Sequence, residues 1–273
     1  MTSPLKFSIN RMSAPTLTYN DFLALSQRLG VQAIEIRNDV KGIEITNGAN
    51  AHEVGKAAKA AGLTIRSINA LQRFEQFDDE RAQEAQALID YAQACGAEAI
   101  VLCPTNDTQD PRSSEQKHID LVHALTALQP MLNAANLIGL IEPLGFVECA
   151  VRRKSQAVAA MTEIDQAEQT FALVHDTFHH HLAGEDMFFP QLTGLIHISG
   201  VEDESLSADR MRDGHRVLVG AKDRLGNVEQ LKKLRAEGYD GYVSYEPFAA
   251  EVAHSANIEQ ELSDSIEFLN AAV

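Results

Sequence analysis

Four residues in the second half of the chain have the types and setting for joint chemistry: Glu142, Asp176, His197 and Glu246. Each lies in or just after a short apolar run. The runs read Leu-Ile-Gly-Leu-Ile-Glu142-Pro, Phe-Ala-Leu-Val-His-Asp176, Leu-Ile-His197-Ile-Ser and Tyr-Val-Ser-Tyr-Glu246-Pro. A lone Glu at a strand end is ordinarily a solvated loop carboxylate, and a lone His in an apolar strand is ordinarily a hydrogen-bonded core residue. Four such residues on four consecutive runs point elsewhere. Three hard carboxylates and one imidazole form a donor set for one divalent cation, Mn, Mg, Co or Zn. In each Glu-Pro step the proline offers no N–H to a ladder, so the strand stops just past the carboxylate and aims it off the end. The triplet His179-His180-His181 follows Asp176. His179, three residues on, is placed to reach a bound substrate, whereas His180 and His181 read as packed or exposed. His175 faces the opposite side of its strand by alternation and is expected to pack against a helix.

These residues need elements to position them. Apolar runs at 6–10, 33–37, 64–69, 99–103, 137–142, 171–176, 195–199 and 242–246 read as eight strands. Helical spacing covers 21–29, 52–61, 79–95, 114–135 and 227–237, and Gly30, Gly62, Gly96 and Gly238 close four of these segments. Asn50 with Glu53 has the form of a capping box. Strand-then-helix alternation of this kind predicts parallel strands with crossover helices. At 273 residues a single (β/α)8 TIM barrel over 1–273 fits. The rival doubly wound sheet calls for a Gly-rich loop after the first strand. Here that strand runs into Asn10-Arg11-Met12-Ser13-Ala14-Pro15 instead. The stretch 200–241 exceeds a simple unit and is expected to place an extra loop over the barrel mouth. In such a barrel the chemistry sits at the carboxyl ends of the strands, where the four residues lie.

Composition narrows the partners. With 45% hydrophobic residues the chain can bury a sizeable core. The 23 basic and 39 acidic residues leave a net charge of −16, which repels phosphate backbones, so nucleic acid is not an expected partner. The longest basic clusters are only Arg152-Arg153-Lys154 and Lys232-Lys233. Three cysteines without a CxxC pair indicate a reducing compartment. The start of the chain lacks a signal-like pattern, and no apolar run reaches about 18 residues, so a cytoplasmic protein free of the membrane is expected.

With Glu142-Pro, Asp176-x-x-His179, His197-x-Ser and Glu246-Pro, the chain resembles the xylose-isomerase-like barrel superfamily, and specifically its 2-keto-myo-inositol (inosose) isomerases and ketose 3-epimerases. The resemblance runs from FSINR at the first strand to SYEPF at the eighth. SINALQRF, LVHDTFHHHLAG, HISGV and HRVLVGAKDRLGN look most like the inosose isomerase group. It implies that Glu142, Asp176, His197 and Glu246 bind one divalent metal, and that Glu142 and Glu246 double as the acid–base pair. It implies further that His179 hydrogen-bonds a substrate oxygen. Glu148 matches a substrate-binding carboxylate of the epimerases. Arg216, in Arg216-Val-Leu-Val-Gly220, matches the Arg of their R-x-x-P-G motif. Val219 stands in place of the Pro, and the spacing from His197 is longer. The competing reading of Arg216 is a surface residue paired with Asp213 or Asp223.

The implied activity is isomerisation of a keto-polyol through an enediolate in inositol catabolism. Ketose or inosose 3-epimerase and inosose dehydratase are the alternatives, since one metal core serves all three. The substrate is then a small polyol or keto sugar, unphosphorylated for want of a basic Gly-rich loop. Barrels of this kind pair through their outer helices, so a homo-oligomer is expected. The apurinic endonuclease of the same superfamily uses a three-metal cluster with additional His at strands two to four. Here those strands end Glu35-Ile-Arg37, Ile68-Asn69 and Cys103-Pro104, without His.

Overall fold

A computed structural model describes residues 4–273. Eight parallel strands close into a barrel in sequential order: β1 Lys6–Asn10, β2 Ala33–Arg37, β3 Thr64–Gln72, β4 Ala99–Cys103, β5 Ile138–Ile141, β6 Phe171–Asp176, β7 Thr193–Ile198 and β8 Tyr242–Tyr245. β8 pairs back onto β1, with Ser244 opposite Ser8. The helices are α1 Tyr19–Arg28, α2 Ala51–Ala60, α3 Asp79–Cys95, α4 Ser114–Ala135, α5 Lys154–Met161, α6 Ala167–Thr170, α7 Thr177–Ala183, α8 Asn227–Ala236, α9 Ala250–Ala253 and α10 Ile258–Ala272. This is the expected (β/α)8 TIM barrel. Strand ends differ by a few residues: β3 continues to Gln72, while Glu142, Ser199 and Glu246 stand just beyond their strands.

Local chemistry sets the helix boundaries. The side chains of Thr18, Asn50, Asp78 and Ser113 each accept the amide three residues on, satisfying an orphan N–H at the start of α1 to α4. α3 ends on Gly96 at φ +74, a conformation that costs a glycine little. On the inner side of α1, Phe22, Leu23 and Leu25 are buried, and full burial of such a side chain contributes roughly 1.5–3 kcal/mol. Repeated around the barrel, this holds the helices onto the outer faces of the strands.

Alternation along the strands layers the barrel interior. The middle layer is divided. Val101, Leu140, Val174 and Leu195 of β4 to β7 form an apolar half. Ser8, Glu35, Ser67 and Ser244 of β1, β2, β3 and β8 are buried polar residues. At the amino end, Arg66 of β3 donates across the barrel to the Gly194 carbonyl of β7 at 3.0 Å and pairs with Glu98. Ile138, Ala172 and Tyr242 pack against the apolar half.

The expected long excursion after β7 is present. It contains two 3-10 turns, Ala208–Arg210 and Asp213–His215. Reciprocal backbone bonds between Gly200 and Val217, at 2.7 and 2.8 Å, tie it back to the strand end. No helix among the described residues is long and apolar enough to cross a membrane. Cys95, Cys103 and Cys149 are free and buried.

Candidate metal centre

Glu142, Asp176, His197 and Glu246 converge at the carboxyl end of the barrel. All four are buried, and each offers a ligand atom within 4.8 Å of those of the others. His197 Nδ1 lies 2.8 Å from Glu142 Oε1 and 3.2 Å from Glu246 Oε2. Asp176 also caps α7: its Oδ1 accepts the Phe178 and His179 amides at 2.8 and 3.1 Å. The cap fixes the carboxylate and leaves Oδ2 for the cluster, where it accepts from Arg216 at 2.6 Å. The donor set suits a divalent cation, since the oxygens are hard, the imidazole is borderline, and three acidic groups crowd one buried volume.

Two buried guanidiniums brace the cluster. Arg216 donates to Ser199 Oγ at 2.9 Å and to Glu246 Oε2 at 3.1 Å as well as to Asp176. Arg216 is therefore not a surface residue. It does pair with Asp213 at 3.2 Å, but the Gly200–Val217 bridge folds it inward over the ligands. Its carbonyl accepts the Phe248 and Ala249 amides, which ties it to the loop after β8. Arg37, the last residue of β2, donates to Glu246 Oε1 at 2.7 Å and pairs with Asp39. The Phe248 ring lies between the two, 5.4 Å from the Arg37 guanidinium carbon and 4.6 Å from that of Arg216. Asn10 donates to Glu246 Oε1 at 3.2 Å.

Charges in this closed space shift one another. Burial opposes ionisation of Glu246, but His197 and the two arginines outweigh it and hold the carboxyl well below its usual range. Burial likewise opposes the imidazolium form of His197, yet Glu246, Glu35 and Glu142 raise its pKa well above 6.5. Glu35 beneath it is opposed by burial and held down to about 2 by the His197 charge and hydrogen bond.

The other residues that the sequence singles out fall in different places. His179 is buried in the first turn of α7, edge-on to Phe146 and Phe178, and its Nδ1 has no hydrogen-bond partner. Glu148 is half-buried in the loop between β5 and α5 and is not a member of the four-residue cluster. His175 packs outside the barrel as expected, between Lys154 Nζ at 2.7 Å and Gln230 Oε1 at 2.8 Å. His180 stacks near His175 and Phe188.

The sequence patterns did not mark Glu35, Arg37 and Cys103 as site residues. Cys103 Sγ donates to Glu142 Oε2 at 3.4 Å. Glu35 and Arg37 alternate on β2, a strand buried at every position. An ionisable pair at i and i+2 in such a strand must find partners inside the barrel, and that was the available signal.

A family model described as xylose isomerase-like TIM barrel matches residues 23–272. Among solved structures, the chain is similar to a xylose isomerase domain-containing protein from Salmonella typhimurium LT2, with 32% identity, a TM-score of 0.89 and 98% of each chain covered. It is similar to the IolI protein, solved with a bound zinc atom, at 20% identity and a TM-score of 0.83, covering 98% of this chain and 99% of that one. It is similar also to D-psicose 3-epimerase from Clostridium cellulolyticum H10, solved with D-tagatose, at 14% identity and a TM-score of 0.75, covering 98% and 99%. The last two likenesses are of fold. No curated protein matches the chain significantly.

Proposed function

Because this chain belongs to the xylose isomerase-like TIM-barrel family, we propose that it is a divalent-metal-dependent isomerase of an uncharged keto-polyol, with 2-keto-myo-inositol the first substrate to test. The observation that carries this reading is the convergence of Glu142, Asp176, His197 and Glu246 within 4.8 Å at the barrel mouth. These four residues would hold the cation. When bound, it supplies Lewis-acid stabilisation of the negative charge that develops on the substrate's carbonyl oxygen.

The chain's own groups divide the remaining work. Arg37, Asn10 and Arg216 all donate to Glu246 and keep it ionised and fixed. Among the described residues, the Glu142 carboxylate accepts only from His197 and the weak Cys103 thiol. Glu142 therefore has lone-pair capacity for a substrate proton and serves as the base, with Glu246 as its partner across the cluster. The proton leaves the carbon beside the carbonyl. Its return to the former carbonyl carbon, with the hydroxyl proton passing to the former carbonyl oxygen, moves the C=O by one position. His179, in the first turn of α7, is assigned to a substrate hydroxyl. Arg216, which braces Asp176 and Glu246, and Glu148, in the loop after β5, are the remaining candidates for contact with the substrate.

Charge supports an uncharged substrate. Four buried carboxylates (Glu35, Glu142, Asp176 and Glu246) face two buried guanidiniums (Arg37 and Arg216). A divalent cation and neutral His197 bring that set to neutrality, leaving none of these groups as a spare cation for a phosphate or carboxylate.

Epimerisation is the second reading. Glu142 and Glu246 follow β5 and β8, three strands apart, and can reach a substrate carbon from two sides. IolI is described with zinc and the D-psicose enzyme with a ketohexose, consistent with a metal and a polyol. The test is metal-loaded protein with 2-keto-myo-inositol in D2O, followed by 13C and 1H NMR. A carbonyl moved to the neighbouring carbon supports isomerisation. Inversion at an unmoved carbonyl assigns epimerisation, loss of water assigns dehydration, and no change before and after chelation refutes this substrate.

A further inference from the structure

Glu35 is fully buried in the middle layer of the barrel, one layer below the ligand cluster. A carboxylate taken out of water costs several kcal/mol unless its lone pairs are met. Here they are met by a built cradle. Ser67 Oγ and Asn69 Nδ2, the latter at 2.8 Å, donate to Oε2. Ser244 Oγ and Asn10 Nδ2, the latter at 3.4 Å, donate to Oε1. The remaining partner is His197, whose Nε2 lies 3.1 Å from Oε2. Three other strands thus supply small polar side chains to one anion, and that anion touches a single member of the ligand cluster.

The geometry fixes which imidazole nitrogen does what. Glu35 accepts from its other neighbours and has no proton to give, so toward it His197 must present Nε2–H. The Nδ1 lone pair then faces Glu142 and Glu246, where a cation would lie. The apolar half of the same layer, Val101, Leu140, Val174 and Leu195, offers no competing side-chain acceptor. A ligating histidine usually donates its second N–H to a carboxylate or carbonyl, which sets its tautomer and ring plane. We propose that Glu35 is a positioning residue that locks His197 as the Nε2–H tautomer with Nδ1 turned to the cation. The proposal rests on the cation reading above and adds a fifth protein group to it.

Two measurements test it. The first is a double-mutant cycle in Co2+ affinity, by calorimetry and by the visible ligand-field bands of bound Co2+. Glu35→Gln weakens Co2+ by about 10–100-fold and changes the bands, with circular dichroism reporting on the fold. Because Glu35 acts through His197, the same substitution in a His197→Gln background costs nothing further. An undiminished penalty in that background, or wild-type affinity and bands in Glu35→Gln, overturns the proposal. The second needs no variant: 1H–15N correlation of the histidine rings in Zn2+-loaded wild-type protein. The expected result is a slowly exchanging Nε2–H on His197. Coordination through Nε2 with Nδ1–H overturns the role of Glu35 while leaving the cation site standing. Wild-type protein that takes up neither ion overturns the cation reading and this one with it.

Discussion

Glu246→Gln is the sharpest perturbation of the centre, because it removes one charge and almost no volume. In the wild-type protein Oε1 accepts from Arg37 at 2.7 Å and Asn10 at 3.2 Å, and Oε2 accepts from Arg216 at 3.1 Å. Each guanidinium keeps a second carboxylate in the variant, Asp39 for Arg37 and Asp176 for Arg216. The ion-free protein should therefore lose less than the roughly 3–5 kcal/mol that attends an orphaned buried partner. Cation binding fares worse. Counting only one of the cation's two charges, a pair about 4 Å apart interacts by about 4 kcal/mol at an effective dielectric constant near 20. That alone is a loss of about 10³-fold in affinity. Isothermal titration of Zn2+ or Co2+ into both proteins measures the binding, and urea unfolding of both ion-free proteins measures the stability. Turnover of any substrate of the wild-type enzyme should vanish with the ion. Unchanged affinity, or a stability loss with no loss of affinity, would refute the reasoning.

The remaining expectations are simpler. Lys154 is buried, and burial, partly offset by Glu185 and reinforced by Lys233, lowers its pKa from 10.5 to about 7. Between those values the unfolded chain holds the proton and the folded one does not, so stability rises with pH from about 7 towards 10, by at most about 1.4 kcal/mol per pH unit. This contribution is lost as pH falls through about 7. The unfolding free energy of wild type minus that of Lys154→Met, measured across that range, should climb, and a flat difference contradicts it. A Cβ at Gly145, which has φ +70, would fall on the His179 carbonyl oxygen. Gly145→Ala should therefore cost about 2 kcal/mol or more in urea unfolding, and a cost below about 0.5 kcal/mol would be inconsistent with that contact. All three thiols are buried, and burial raises the pKa of Cys95 to about 11 and of Cys149 to about 12. Ellman's reagent should react slowly with native protein and promptly with three thiols after unfolding, and a fast native thiol would show an opening that the fold lacks.

The strands were legible because each is packed on both faces, so the chain writes them as nearly continuous apolar runs. The first four helices were legible because their caps are local, as at Asn50 and Ser113. α5 carries no side-chain cap of this kind. The first amides of α5, at Lys154 and Ser155, are satisfied by Glu185, thirty residues away in sequence, and no local pattern announces that. The cluster itself could be read because each member stands at a strand end. Its supports could not, since the partners of Glu35 and Arg37 come from distant strands and become neighbours only on closure. Arg216 looked equally suited to the surface, and the backbone bridge between Gly200 and Val217 is what turns it inward.

The cross-barrel tie from Arg66 to the Gly194 carbonyl braces the amino end of the cylinder. The ligand cluster lies at the other end, at the carboxyl ends of the strands. With the proposed polyol seated over the cluster, a hydrogen lifted from one carbon would be shielded from bulk water before it is handed on. Isotope delivered from the medium should therefore fall short of one atom per turnover, and the shortfall counts how often the hydrogen stays with the molecule it came from.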